Sequence, residues 1–443
     1  MEEGHVKAKR SHYHEVQCFD LDGDTLLRLE LNDPGVDGLK IRHPQILIKG
    51  AGRAIGNNSI LRKIEIIITT DVAGSPRLDE IFLGLSRNRG IESITLMCQI
   101  DGYMRFGDNE LDNFHILAPF FEHNYNLRCI YISGFDMSHI FNSLASSLAA
   151  CKNSKLERIS LSCNKSTDDQ MAMIMKSLQG KYCLRDIRCD EGTNYCAEAT
   201  CRATAELLDN PSMNIHDLCL EVGANGHNDS CITILGKSLM MNNTVKTLDL
   251  GETQVRTAKG WGAISDVLTH PMCTLVALHL NHTKIDNDGI TYLSDALVNN
   301  KTLNSLSISS NNSITLAGWR HFLKCLETPI SALEELDIRD CGIKDEWAIL
   351  IAQVLAKNTS LKILDMSDNE LTTTGLVRFC GILLNHDSCC SLVIIDLTGH
   401  TLDNEEAITE LENIIARSIC DKKSIDSIYF SNHNLCALLL VID

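Results

Sequence analysis

One six-residue pattern recurs along this chain at a nearly constant interval: an apolar residue, two variable positions, an apolar residue, one variable position and a third apolar residue. The clearest copies are Leu275-Leu278-Leu280, Leu303-Leu306-Ile308, Leu333-Leu336-Ile338 and Leu361-Leu364-Met366. Others begin upstream at Leu61, Ile91, Leu127, Leu156, Leu184, Ile215 and Val245, and downstream at Leu392 and Ile425. The twelve intervals from Leu61 to Ile425 average about 30 residues, a period typical of stacked repeats. A weaker copy at Leu26, Leu29 and Leu31 brings the expected number of units to 14.

Each unit reads as a short strand followed by a helix. The apolar-x-apolar step puts two side chains on one face of a strand. Eight residues after the first apolar position come Asn164, Thr253, Thr283, Asn311, Cys341 or Asn369, side chains that can bond free backbone groups where the chain turns inward. Two residues further on lie Val255, Ile285, Ile343, Leu371, Leu402 and Leu435. The second half of the unit is helical: Trp347, Leu350, Ile351, Val354 and Leu355 form one apolar stripe, and Ile290, Leu293 and Leu297 another. Asn299-Asn300 and Lys357-Asn358 close their helices.

No unit can bury its apolar side alone, so the units must stack into a quasi-one-dimensional array. The expected fold is an α/β solenoid, with parallel strands lining a concave inner face and wider helices on the convex side, curved like a horseshoe. It is expected to span residues 26–443, with 1–25 as an N-terminal tail or cap. The pattern resembles the ribonuclease-inhibitor-type leucine-rich-repeat proteins, whose units carry a strand and a full helix. That resemblance implies a fold and says little about activity. Three departures stand out. The unit at Ile91 runs 36 residues before Leu127, with an expected protruding loop from Gly102 to Asn113. The units at Leu184 and Ile215 carry Gly192 and Gly223 where Asn or Cys is usual, each followed by a loop-like stretch. The last unit has no closing helix, so the expectation is either that Leu438 to Val441 fold back as the cap or that the protein is incomplete, with the end a candidate dimer contact.

Charge narrows the function classes. Forty Lys+Arg against 58 Asp+Glu give a formal charge of −18, which disfavours nucleic acid and anionic membrane as partners. No apolar run reaches the ~18 residues of a spanning helix. An acidic start without an apolar h-region, and 19 cysteines in no small-scaffold framework, point to reduced thiols in the cytoplasm or nucleus.

Catalytic and metal motifs fail on inspection. Phe19-Asp20-Leu21-Asp22-Gly23-Asp24-Thr25 resembles the first motif of haloacid-dehalogenase phosphatases, but Asp24 is inserted before the Thr and the repeats start at once; a polar cap turn is expected instead. As a calcium loop it lacks the late Glu, because position 12 counted from Asp20 is Leu31. Cys196 and Cys201 have zinc-compatible spacing, yet Cys183 and Cys189 do not form a second pair, and Cys389-Cys390 precedes a strand. The 16 histidines include no His-Glu-x-x-His, and Gly50-Ala-Gly52-Arg-Ala-Ile-Gly56 is no phosphate loop. The Asn300-Lys-Thr302 and Asn358-Thr-Ser360 sequons arise from the helix-end pattern and are expected to stay unglycosylated. No catalytic residue, metal or cofactor is implied.

What remains is the inner face. If positions one, four and six of each unit point inward, positions two, three, five, seven and eight face the concavity. Over the six units from Val245 to Leu392 these hold nine acids: Asp249, Glu252, Glu334, Glu335, Asp337, Asp340, Asp365, Asp368 and Asp396. They hold three bases, Lys246, Arg339 and Lys362. Position five reads Asp249, His279, Ser307, Asp337, Asp365, Asp396, Tyr429. The seven units from Leu26 to Ile215 are mixed, with ten acids against seven bases that include Arg62, Lys63, Arg128, Arg158, Arg185 and Arg188. Asp at position five is a solubilising choice in this repeat type; alternatively the row is a docking surface for a basic protein. On the second reading Asp337, Asp365 and Asp396 form the electrostatic core and Tyr429, His279 and Arg339 add specificity. The function expected is a non-enzymatic protein-interaction scaffold. Its rival follows from a second resemblance, to the repeats of activators of Ran-type small GTPases, which stimulate hydrolysis without holding nucleotide themselves; those usually carry a long acidic run after the arc, which this chain lacks. A third role, as the recognition arm of a larger machine such as an immune receptor or ubiquitin ligase, would act through a partner, since about 25 residues before the first unit are too few for such a module.

Overall fold

The structure is a computed structural model. It describes residues 18–42, 49–69, 76–99, 114–135, 140–151, 154–162, 164, 166–189, 196–220, 228–253, 255–327, 332–385, 387–400, 402–420 and 427–430. The chain divides into two compact units, residues 1–165 and 166–443.

In the first unit the strands β1 (Cys18–Asp20), β2 (Gly38–Arg42), β3 (Lys63–Thr69), β4 (Ser93–Gln99), β5 (Cys129–Ser133) and β6 (Arg158–Ser162) pair in parallel, each with the next. Between them run α1 (Gly23–Glu30), α2 (Ala51–Asn57), α3 (Pro76–Arg87), α4 (Phe114–His123) and α5 (Phe141–Ala150). The second unit opens with α6 (Asp168–Ser177), β7 (Asp186–Cys189), α7 (Glu198–Leu208), β8 (Asp217–Leu220), α8 (Asn228–Met241), β9 (Thr247–Asp249), α9 (Ala258–Thr269) and β10 (Ala277–His279). It continues with α10 (Asn287–Leu297), β11 (Ser305–Ser307), α11 (Leu316–Leu326), β12 (Glu335–Asp337), α12 (Asp345–Leu355), β13 (Ile363–Asp365), α13 (Thr373–Leu383), β14 (Ile394–Leu397), α14 (Glu405–Cys420) and β15 (Ser427–Phe430). Here too each strand pairs in parallel with the next. Parallel neighbours require a crossover, and in every repeat a helix supplies it.

The α/β solenoid reading holds, with thirteen strands where the motif put them, from β3 to β15. The N-terminal copy does not. Leu26 and Leu29 lie in α1, a helix, and Leu31 is its C-cap, 71% exposed. An apolar spacing of three satisfies a helix as well as the strand motif, and the Asp22 cap decides for the helix: its carboxylate accepts the Thr25 N–H at 2.7 Å. The acidic Phe19–Thr25 stretch is therefore a strand end and a helix cap. The repeat strand lies instead at β2, where Val36, Leu39 and Ile41 occupy the three apolar positions and are buried. β1 lies in the stretch read as a tail and pairs with β2. Gly102–Asn113, Gly192, Gly223, Leu435 and Leu438–Val441 lie outside the described residues.

Within a repeat the strand sends positions four and six into the core, as Leu278 and Leu280 or Leu364 and Met366 do, all fully buried. The helices meet them with Ile290, Leu293 and Leu297 in α10. In α12 the buried face is Ala348, Ile351, Ala352, Val354 and Leu355, whereas Trp347 and Leu350 are only half-buried. That stripe is turned about one residue from the sequence reading, with Ala348 and Ala352 buried in place of Trp347 and Leu350. Each buried aliphatic side chain contributes about 1.5–3 kcal/mol.

Polar ladders hold successive repeats in register. Three residues before the first apolar position stands a buried asparagine at Asn58, Asn88, Asn124, Asn242, Asn300 and Asn358. Asn300 Nδ2 donates to Leu268 O at 2.7 Å, and its Oδ1 accepts the N–H groups of Thr302 and Leu303 at 3.0 and 2.8 Å. Asn358 makes the same bonds to Leu326, Ser360 and Leu361. One side chain thus closes a helix end, turns the chain into the strand and ties it to the preceding repeat. Helix starts are tied likewise: Asp168 accepts the backbone N–H groups of Ala197, Ala199 and Thr200 at the head of α7, and Asp345 accepts that of Thr372 ahead of α13.

The glycines of residues 50–56 have a packing role. A Cβ on Gly52 would lie 1.9 Å from Glu80 O, and one on Gly84 would lie 2.0 Å from Gly52 O. The two glycines let α2 and α3 approach backbone to backbone.

Candidate interaction face

Equal offsets between parallel neighbours make the same position of every repeat a register partner of the next. The strand pairing therefore aligns Asp249 with His279, His279 with Ser307, Ser307 with Asp337, Asp337 with Asp365, Asp365 with Asp396 and Asp396 with Tyr429. These residues alternate with the core side chains and lie on the open face of the second unit. Most are half-buried; Ser307 is buried and Tyr429 is 43% exposed. Glu335 at position three is exposed beside the row.

Position seven departs in part from the sequence reading. Ser309 and Ser367, at position seven, are buried, so that position does not uniformly face solvent. Position eight adopts the left-handed conformation at Glu252 (φ 58°), Asp340 (φ 49°) and Asp368 (φ 55°), where the chain leaves the strand edge. Those three acids mark a turn, and Asp340 and Asp368 belong to adjacent repeats while His282 and Ser310 separate them from Glu252. Asn, Asp and His tolerate this conformation better than other non-glycine residues.

The position-five carboxylates have a local task as well. Asp249 Oδ1 accepts the Gly251 N–H at 2.9 Å, Asp337 the Arg339 N–H at 3.1 Å, Asp365 the Ser367 N–H at 3.0 Å and Asp396 the Thr398 N–H at 2.9 Å. The Ser367 and Thr398 hydroxyls add bonds to Asp365 and Asp396. Each aspartate thus satisfies the backbone where the strand turns. This explains the residue type without fixing the charge, since an asparagine oxygen could accept the same N–H.

The row carries no salt bridge among the described residues: none of Asp249, Asp337, Asp365 and Asp396 forms an ion pair with a lysine or arginine. Burial raises the Asp337 carboxyl above its ordinary range; the Ser307 hydroxyl, donating to Oδ2 at 2.6 Å, the Arg339 N–H and the Arg339 charge oppose that, while Asp365 adds to it. Asp396 is raised for the same first reason, eased by the Thr398 bonds and reinforced by Asp365 and Asp368. Of the three bases on this face, Lys362 is taken by Glu334 at 2.8 Å.

In the first unit the face neutralises itself. Glu65 lies 3.0 Å from Lys40 and 2.8 Å from Lys63. Burial works against its charge, but the two lysines outweigh that and hold its carboxyl below the ordinary value. Glu92 lies between Arg62 (3.6 Å) and Arg128 (3.5 Å), and Arg128 also meets Glu157 at 2.9 Å. Arg188, in the second unit, meets Asp186 at 3.2 Å. The bases that looked free in the sequence are largely engaged.

Two features beside the row were not singled out from the sequence. Ser307 and the Asn281 amide form a chain of contacts into Asp337. Ile363 and Ile394, paired at position three, place half-buried apolar surface next to the three aspartates. Reading position three across the repeats, as position five was read, would have found them. As for metals, Cys183 is exposed and Cys189, Cys196 and Cys201 are buried. No cluster of three His, Cys, Asp or Glu able to hold a metal ion occurs among the described residues. No helix among them is long and apolar enough to cross a membrane.

A family model described as Leucine Rich repeat matches residues 272–294, 332–352 and 357–380, three repeats of the second unit. The chain is a leucine-rich-repeat protein. Similar curated proteins include the mouse NACHT, LRR and PYD domains-containing protein 4C, 29% identical over 207 residues that make up 47% of this chain and 20% of that protein. The human NACHT, LRR and PYD domains-containing protein 13 is 27% identical over 293 residues, 60% of this chain and 25% of that protein. This leucine-rich-repeat chain thus spans about a fifth to a quarter of the length of these relatives. Among solved structures, a chain of the yeast Rad7 and Elc1 complex aligns over 93% of this chain and 88% of its own, with a TM-score of 0.45 and 15% identity.

Proposed function

We propose that this leucine-rich-repeat protein is a non-enzymatic interaction scaffold that captures a basic protein on the open strand face between β9 and β15. The observation that carries the reading is the in-register row Asp337, Asp365, Asp396, none of which forms a salt bridge among the described residues, while the corresponding face of residues 18–162 pairs its charges internally. Like charges at strand spacing, about 4.8 Å, repel one another, and a cationic partner relieves that repulsion and is steered toward it. Tyr429 at the end of the row, with Ile363 and Ile394 beside it, offers aromatic and apolar contact for the stem of a lysine or arginine. The likeness to part of much longer proteins named for an LRR domain supports a role as the recognition segment of a larger assembly, in the cytoplasm or nucleus.

The test is affinity capture with the wild type beside a triple Asp337, Asp365, Asp396→Lys variant, both checked for folding by circular dichroism. The reading expects a basic protein retained by the wild type alone. Equal capture by both would sink it. If the retained protein is a Ran-type small GTPase, stimulated GTP hydrolysis by the wild type would support the activator role.

A further inference from the structure

The ninth position of the repeats forms a buried ladder in which the amide side chain is both donor and acceptor. Asn369 Nδ2 donates to Ile338 O at 2.9 Å, while its Oδ1 accepts the N–H groups of Cys341 and Ile343 at 2.9 and 3.0 Å. Asn311 does the same with Leu280 O and the Ile285 N–H. In the next repeat the position is His400, 5% exposed. Its Nε2 lies 3.2 Å from Met366 O, taking over the donor role of the amide, and its Nδ1 lies 3.0 Å from Asn369 O.

This geometry depends on a proton. A carbonyl oxygen only accepts, and a neutral imidazole has a single N–H; the second nitrogen then turns a lone pair toward the second carbonyl. Only the imidazolium donates to both. The amide's accepting oxygen has no counterpart in the histidine, so the N–H groups of Asn369 and Leu371 find no acceptor among the described residues. The charged groups acting on the ring are Asp368, on the turn leaving β13, and Asp396, on β14. Arg378 of α13 and Glu405 and Glu406 of α14 are exposed, Asp403 is bonded to the Thr373 hydroxyl, and β15 brings Tyr429 into register with Asp396.

We propose that His400 is a proton-operated tie between the β13 and β14 repeats, bonding both Met366 O and Asn369 O as the imidazolium and one of them as the neutral ring. Burial holds the His400 pKa below its ordinary value; the two carbonyls and the two aspartates pull the other way. A histidine with a depressed folded-state pKa adds stability that is present above the unfolded value of about 6.5 and is lost as pH falls below it. Acidification therefore lowers global stability while completing the local tie.

The experiment is a pH titration of the full chain by ring 15N and 1H NMR, with unfolding of wild type and His400→Asn measured over the same range. The expected spectra show one protected ring N–H at pH 8 and two in the folded protein in acid. The wild-type folding equilibrium constant should fall relative to that of His400→Asn as the pH drops from 7.5 to 5, because the folded state binds the proton more weakly than the unfolded chain does. A ring that stays neutral in the folded state down to pH 5, or that protonates with both N–H groups exchanging freely, would overturn the proposal. Parallel pH profiles for the two proteins would do the same. The spectra of the wild type alone decide the matter if the variant does not fold.

Discussion

Asn299 and Asn300 are adjacent residues of one type, and only one of them builds the ladder. Asn300 is 6% exposed, its Nδ2 donates to Leu268 O at 2.7 Å, and its Oδ1 accepts from Thr302 and Leu303. Asn299 is exposed. Replacing Asn300 by Ala strands one carbonyl and two N–H groups, at about 1–3 kcal/mol for each that stays buried. Leu303 is buried and Thr302 half-buried, so water can reach only part of the wound. The expected loss for Asn300→Ala is about 3–5 kcal/mol, against less than about 0.5 kcal/mol for Asn299→Ala. Asn300→Asp keeps the acceptor and should fall between them. Denaturant unfolding reads the difference, and hydrogen exchange at Leu303 and Leu268 reads it locally, because repeat arrays can unfold in parts. Two alanine variants within about 0.5 kcal/mol of each other would refute the account of how these repeats are joined. The same contacts commit Nδ2 of the Asn300-Lys-Thr302 sequon inside the fold.

Other outcomes are equally exposed to test. Gly84→Ala should destabilise by about 3 kcal/mol through the clash with Gly52 O. Gly262→Ala, in α9 with open space around its Cβ, should stabilise by about 1 kcal/mol; thermal denaturation checks both signs. Asp365→Asn keeps an oxygen for the Ser367 N–H and removes the charge shared by Asp337 and Asp396, so it should stabilise by about 1 kcal/mol at neutral pH. Carboxyls raised in the folded state cost stability as pH rises through their folded-state values, so wild type should gain on acidification toward pH 4 and the variant should gain less. A steeper profile in the variant would contradict this. Iodoacetamide at pH 8 should label Cys183 and Cys389, which are exposed, in the native protein. Cys325, Cys341 and Cys380, whose thiols burial pushes up to about 12, should react only after denaturation; comparable rates would refute their burial.

The repeat itself was legible because its strand half carries period-two apolar spacing at a fixed interval, and once parallel strands keep that offset the position-five row follows from counting. The failure at Leu26–Leu31 came from a pattern shared by strand and helix, with the deciding residue, Asp22, outside the pattern. Val36-Leu39-Ile41 has the right apolar spacing, but Leu26-Leu29-Leu31 had taken its place as the N-terminal copy. Depth along the turn was not readable either. The left-handed conformation of Asp340 and Asp368, the burial of Ser309 and Ser367, and the backbone bonds of the aspartates depend on where the chain bends. The pairing of Glu65, Glu92 and Glu157 with lysines and arginines is cross-strand, so a count of acids and bases by unit overstates the free positive charge of that face.

The central claim is that a basic partner sits on the strand face of β9 to β15. A photocrosslinking residue in place of Ile363, between the rows of Glu335 and Ile394, tests it most directly, with the same residue in place of exposed Tyr292 on α10 as the helix-side control. The account predicts a salt-sensitive crosslink to a basic protein from position 363 and none from position 292. A crosslink from the helix side alone, unaffected by salt, would contradict it.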